Sequence, residues 1–169
     1  SPRPEEGYVE YVTSIEDLPL IYGDWLILAR TNDKLKKLAP DLKDMGLYFE
    51  IKGRKSYRTR LYKSIQDYTR WTTGDMLSLS ECKDLFEFLE LDTELTDERM
   101  YDLKEFGFSF TDHWYEVFKA EPEECLYIRE MMRNKEILKE DPRIKLSTIH
   151  AAKGGEATNI LIILDNTKK

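Results

Sequence analysis

The sequence predicts an α/β protein: a largely parallel sheet flanked by helices, with a small all-helical insertion. Within the run 159–165, residues 160–164 are apolar on both faces, as in a buried parallel strand, and the run follows a polar loop with two adjacent glycines. Residues 24–29 form a second apolar run, followed by a helix with one apolar stripe. Residues 73–141 show several short segments of helical spacing.

Composition bounds the class of protein. A chain of 169 residues with 41% hydrophobic residues suits one domain carrying an insertion. It contains no apolar run of the roughly 18 residues that span a membrane, and no signal-peptide pattern, so we expect no membrane partner. Cys82 and Cys125 fall at apolar positions of predicted helices, and with two histidines and no CxxC a zinc site is not expected. Reduced core thiols in a cytosolic protein fit best.

Charge divides the chain into two parts. The net charge is −7, yet residues 52–70 carry seven bases against one acid, and residues 75–141 carry 20 acids against 8 bases. The basic residues are interleaved with Tyr57 and Tyr62, a mixture that can contact a phosphate backbone and stack a base. A solvated helix face is the plainer alternative. The acidic part should repel phosphates, so it suits a protein partner or solubility.

The elements follow in order. Residues 8–12 alternate and predict a strand, and the strand 24–29 ends in Arg30, Thr31 and Asn32. Asn32 or Asp33 can cap the next helix, whose apolar stripe runs from Leu35 to Met45 before Gly46 ends it. A strand at 48–51 and a helix from Thr59 come next. After the acidic helices, Asp141 and Pro142 return the chain to a strand at 144–149.

The loop between the last two strands is the richest in functional groups. It contains Thr148, His150, Lys153, Gly154 and Glu156 within nine positions, ahead of the strand 159–165. Polar loops at strand ends are where open α/β sheets place their ligand sites. The alternative is a glycine turn whose polar side chains are merely solvated.

This pattern, Thr-x-His-x-x-Lys-Gly-x-Glu before a hydrophobic strand, resembles motif V of the UvrD/Rep-like superfamily 1 DNA helicases. The order strand, Arg30-Thr31-Asn32, amphipathic helix, strand and glycine is similar to the segment which those helicases carry before their inserted domain. The resemblance implies a second RecA-like domain formed by 1–72 and 142–169, with the acidic insertion 73–141 replacing the accessory domain of the family.

The resemblance also implies roles. Arg30, Thr31, Asn32, Thr148 and His150 match positions that contact single-stranded DNA. Lys153 matches the family lysine and joins the DNA-binding set. Tyr57 joins it as well, because it lies among the basic residues. Gly154 and Glu156 match the nucleotide-binding positions, with Glu156 approaching the ribose. Gly155 departs from the family, which has a bulky apolar residue there, and it should make the loop more mobile.

What is missing bounds the function. The chain has no G-x-x-x-x-G-K-[ST] loop and no Asp-Glu motif for Mg²⁺. The resemblance therefore implies the C-terminal part of an ATP-dependent helicase of a bacterial cytosol or phage-infected host, inactive alone, with ATP and Mg²⁺ bound only in the full-length protein. Its partners would be single-stranded DNA, the N-terminal RecA-like domain and possible proteins at the insertion. The alternative is a degenerate RecA-like interaction module that docks a partner through the acidic helices.

Overall fold

The computed structural model describes residues 7–107, 112–152 and 155–164. They form a mixed, mostly parallel five-stranded sheet in the order β3-β2-β4-β1-β5, with helices packed against it. The strands are β1 (Trp25–Ala29), β2 (Phe49–Ile51), β3 (Arg54–Lys55), β4 (Ile144–Thr148) and β5 (Asn159–Ile162). The helices are α1 (Asn32–Asp44), α2 (Thr59–Thr72), α3 (Leu79–Leu89), α4 (Trp114–Val117) and α5 (Pro122–Arg133), with short 3-10 turns at Ile15–Asp17 and Leu103–Phe106. Only β3 runs antiparallel to its neighbour.

The α/β class and most of the predicted elements are confirmed, with two corrections near the start. Residues 8–12 form no strand; Tyr8, Val9 and Tyr11 are exposed and pair with no neighbouring strand. The cap of α1 is Thr31 rather than Asn32 or Asp33, because its hydroxyl accepts the Lys34 N–H at 3.4 Å.

The two faces of the sheet differ. On the covered face, Trp25, Ile27 and Ala29 of β1 are buried in line with Ile144 and Leu146 of β4. Helix α1 packs there on β1 and β4. It contributes its two fully buried side chains, Leu35 and Leu42. Apolar burial of this kind is the main favourable contribution to folding.

The open face is more polar. The Lys145 and Glu50 side chains pair across it at 3.9 Å. On the edge strand β5, Ile160 and Ile162 of this face are 54% and 53% exposed, whereas Leu161 and Ile163 pack toward the core. The expectation that this strand is buried on both faces is therefore wrong for the described residues.

The helical part shares the core of the sheet. Helix α2 packs on α3 and α4, and its Trp71 is fully buried against the rings of Phe86 and Phe106. The buried residues of the sheet and of the helices belong to one continuous cluster. In the part of the chain that the structure describes, no helix is long and apolar enough to cross a membrane.

An ion pair between Arg143 and Glu136 joins the amino ends of three strands. Arg143 lies just before β4, its Nη2 is 2.6 Å from Glu136 Oε1, and its guanidinium also donates to the carbonyl of Leu20. The other oxygen of Glu136 accepts the N–H of Tyr48, just before β2, at 2.7 Å. The Arg143 carbonyl accepts the N–H of Trp25, the first residue of β1, at 2.8 Å. We call this arrangement the Arg143–Glu136 bracket.

Replacing Glu136 by glutamine should lower the free energy of unfolding by about 3 kcal/mol, because the Glu136 side chain is only 3% exposed and its loss leaves Arg143 uncompensated. Urea denaturation followed by circular dichroism measures this. The matched control is Arg133→Ala, which removes a surface ion pair to Glu130 at 3.7 Å and should cost less than about 1 kcal/mol. Equal effects of the two substitutions would contradict the bracket.

Candidate nucleic-acid interface

The two segments singled out from the sequence end at the same edge of the sheet. Strands β1 and β4 are parallel neighbours with Ala29 opposite Thr148, and the N–H of Ile149 donates to the carbonyl of Ala29 at 3.1 Å. Arg30 therefore leaves β1 beside the point where His150 follows β4. Arg30 and His150 are both exposed. The register thus brings the Arg30 segment and the Thr148 segment together at the carboxyl edge of the sheet.

Two threonines shape the backbone at this edge. The Thr31 hydroxyl caps α1, and the Thr148 hydroxyl accepts the N–H of Ala151 at 3.3 Å, closing a turn. Each hydroxyl uses its oxygen as an acceptor and retains its O–H as a donor. Thr31 is exposed, and Asn32 and Thr148 are partly exposed. The edge therefore offers neutral donors beside the Arg30 guanidinium.

The turn between β2 and β3 reaches the same edge, which the sequence interpretation missed. Ile51, the last residue of β2, pairs with Leu146 of β4, two positions before Thr148. Lys52 and Gly53 then take the left-handed conformation, with φ of 53° and 74°, to reverse the chain into Arg54. Gly53 could have indicated this turn in the sequence, because a glycine after a short strand favours a tight turn. Lys52 and Arg54 thus add positive charge to the carboxyl edge.

The prediction that Tyr57 contacts DNA is wrong. Tyr57 lies in the core, 7% exposed, with its O–H donating to the Leu138 carbonyl at 2.7 Å and its ring packed against Tyr48 and Tyr62. Burial also raises the pKa of Tyr48 and that of Tyr62, as expected for phenols removed from water. The Tyr57 ring is therefore not available to stack on a base.

Glu156 lies in the connection between β4 and β5. After the Thr148 turn the chain runs back along the open face, where Gly155 comes close to the side chain of Leu26, and the N–H of Thr158 donates to the Asp24 carboxylate at 3.0 Å, before the start of β1. The exposed Glu156 follows Gly155 on this return path. The Gly155 N–H donates to the carbonyl of Ala152, whose own N–H donates to the Thr148 carbonyl at 3.1 Å. Lys153 and Gly154 lie outside the described residues.

Gly155 is held closely in this return path. Its N–H donates to the Ala152 carbonyl at 2.8 Å, and a Cβ at this position would lie 3.1 Å from that same oxygen. The glycine therefore lets the connection lie against the sheet, where a larger side chain would have to displace its surroundings.

The described residues fit only part of a nucleotide. An exposed carboxylate such as Glu156 can accept hydrogen bonds from ribose hydroxyls, but the chain has no phosphate-binding loop for the β- and γ-phosphates. Among the described residues, no group of three His, Cys, Asp or Glu side chains is placed to hold a metal ion.

Comparison of the chain with protein-family models, with curated proteins and with solved structures gave no match.

The placement of Tyr57 generates a prediction. Tyr57→Phe should lower the free energy of unfolding by about 1 kcal/mol or more, because the buried Leu138 carbonyl loses its donor, and it should leave affinity for single-stranded DNA unchanged. Urea denaturation and fluorescence anisotropy with a labelled oligothymidylate measure the two quantities. Tyr11→Phe, at an exposed tyrosine, is the stability control. Loss of DNA affinity with unchanged stability would contradict the buried position of Tyr57 and indicate that its ring contacts DNA.

Proposed function

We propose that the chain is the second RecA-like domain of a UvrD/Rep-like superfamily 1 DNA helicase, which contributes single-stranded DNA contacts and part of the nucleotide site. The observation that supports this most strongly is the register of β1 and β4. It joins Arg30, Thr31 and Asn32 to Thr148 and His150 at one carboxyl edge. These segments are more than 110 positions apart in the sequence, and each was matched to the family separately.

The chemistry of the edge suits a DNA track. Hydroxyl, amide and imidazole groups next to one guanidinium can bind phosphate oxygens without reading base sequence. Mostly neutral contacts of this kind can be broken and remade as a motor steps along a strand. A cluster of salt bridges at every position would hold the strand more tightly and slow each step.

The connection from β4 to β5 provides a coupling route. It begins at the Thr148 turn, beside the proposed DNA track, and its return path carries Glu156. In the full-length protein, ATP would bind between this domain and the N-terminal RecA-like domain, with Glu156 and Gly154 near the ribose. Hydrolysis of that ATP, which requires Mg²⁺, would supply the free energy for movement. A movement of this one connection would then affect both ligands.

The alternative is an interaction module that docks a protein through the acidic helices. The exposed Leu126 of α5 and Ile137 beyond it, within the acidic region 75–141, favour this alternative. The two functions differ in one property, since only the helicase domain requires affinity for single-stranded DNA at the carboxyl edge.

Arg30→Ala should weaken binding of a labelled oligothymidylate by about tenfold at low salt, because one charge-assisted hydrogen bond to phosphate contributes roughly 1.5 kcal/mol. His150→Ala should weaken it by a smaller factor. Fluorescence anisotropy measures both affinities, with Arg133→Ala on the exposed end of α5 as the charge-matched control. Absence of binding by the unaltered chain, or equal losses in Arg30→Ala and the control, would favour the interaction module.

The isolated chain should not hydrolyse ATP above background, with or without Mg²⁺ and oligothymidylate, because it lacks the phosphate-binding loop. A coupled phosphate-release assay measures the turnover. The matched comparison is the same chain supplied with the N-terminal domain. Turnover on the order of 1 per second from the isolated chain would contradict this assignment.

A further inference from the structure

A basic groove lies between α1 and the β2–β3 turn, on the covered-face side of the sheet. It has a volume of about 620 Å³, and Phe49 and Ser56 are among the residues that line it. Five cationic residues line it, and no acidic residue does: Lys36 and Lys43 of α1, Lys52 of the β2–β3 turn, and Arg54 and Lys55 of β3. The groove is therefore positively charged, although the chain as a whole has a net charge of −7.

The cations of the neighbouring helix α2 are neutralised, and this distinguishes them from those of the groove. The closest pairs are Arg60–Glu87 at 2.6 Å, Arg70–Glu81 at 2.9 Å and Lys63–Asp67 at 3.0 Å. Burial alone would raise the pKa of Glu81, but hydrogen bonds from Ser78 and Arg70 lower it to about 2. In the helical half of the basic segment 52–70, the positive charges are therefore neutralised by acidic residues of α2 and α3.

The five groove cations form no ion pair with any residue in the described ranges. Two of them rest on aromatic rings instead: Lys43 Nζ is 5.7 Å from the ring centre of Tyr127, and Lys55 Nζ is 5.9 Å from that of Tyr57. Both rings are fixed by hydrogen bonds from their O–H groups to backbone carbonyls. The groove thus holds ammonium groups in place without counter-ions, which is an arrangement that suits an anionic ligand.

The groove is continuous with the carboxyl edge. Lys52 and Arg54 belong both to the turn at that edge and to the groove lining. Strands lie about 4.8 Å apart, so β1 and β2, which have β4 between them, are separated by about 10 Å. From Lys36 to Lys43 the groove follows seven residues of α1, a length of about 10 Å. A polyanion crossing from Arg30 past Thr148 would therefore reach Lys52 and continue into the groove.

We propose that this basic groove binds the phosphodiester backbone of the single-stranded nucleic acid beyond the carboxyl edge, lengthening the site by several nucleotides. The proposal rests on the proposed DNA contacts at that edge. Lysine ammonium groups act as point charges without directional demands, so the groove would hold the backbone of any sequence and contribute most of the salt dependence of binding.

The test measures affinity for oligothymidylates of about 5 and about 15 nucleotides over a range of salt concentrations, by anisotropy with the whole chain. The groove variant is Lys43→Gln/Lys55→Gln, whose two lysines are farthest from the edge. For the longer strand it should lower the slope of log Kd against log salt by about 1.4, the value for two phosphate contacts on a single strand. Binding of the shorter strand should stay unchanged.

Two further variants serve as controls. Lys104→Gln/Lys119→Gln removes the same charge from exposed lysines outside the groove and should leave both strands bound as before. Lys43→Arg/Lys55→Arg keeps the charge and should restore the slope, which separates loss of charge from loss of folding.

The outcomes separate the groove from the edge. If the short strand binds and depends on Arg30 while the groove variant behaves like the exposed-lysine control, the groove proposal fails and the proposed function stands. If the unaltered chain binds neither strand, both fail. If inorganic pyrophosphate binds in a manner that depends on Lys43 and Lys55 while the slope for the long strand stays unchanged, the groove is a site for small anions and the proposal is overturned.

Discussion

The Arg143–Glu136 bracket is the constraint on which the geometry of the interface depends. It lies at the amino edge of the sheet, opposite the candidate site, and joins the starts of β1, β2 and β4. Because parallel strands in register advance by the same distance per residue, fixing their starts also fixes where they end. The meeting of Ala29 with Thr148, and of Ile51 with Leu146, follows from that alignment. A buried ion pair far from the ligand thus sets the spacing of the groups that would contact it.

Electrostatics explains how an acidic protein can present a basic surface. The acidic helix α3 pairs with the arginines and lysines of α2, so the positive charge of α2 is neutralised within the molecule. The cations of α1 and the β2–β3 turn lie outside that network and, with Arg30, give the carboxyl edge its positive character. The acidic part would then exclude nucleic acid from the rest of the surface, since like charges repel the phosphates.

The sequence predicted the elements that depend on local pattern. The apolar runs of β1 and β4 and the stripe of α1 each encode their own structure, and the Gly-containing loop indicated where β4 ends. Features set by distant partners were not predicted. Tyr57 looked like a surface aromatic among charges, and only packing against Tyr48 and a bond to Leu138, 81 positions away, places it in the core. The charged side chains of α2 form ion pairs with residues of α3, so the spacing of charges along the sequence did not show which of them are neutralised.

The candidate site likewise combines features that the sequence predicted with features that depend on distant parts of the chain. The resemblance implied that the Arg30 and Thr148 segments belong to one domain, whereas the path of the chain around Glu156 depends on a ten-residue connection that returns along the open face. Residues 8–12 alternate in hydropathy like a strand, but alternation alone does not provide a neighbouring strand to pair with. In the same way, the apolar sequence of β5 predicted burial on both faces, yet Ile160 and Ile162 are exposed on the open face.

The central claim is that single-stranded DNA lies on the carboxyl edge of the sheet. Its most direct test is a titration of the isotopically labelled chain with oligothymidylate, followed by amide chemical shifts in nuclear magnetic resonance spectra. If single-stranded DNA lies on this edge, the largest shifts should fall at residues 29–32 and 148–152, with those of the acidic helices unchanged. Shifts confined to α3, α4 and α5, or none at saturating DNA, would contradict it.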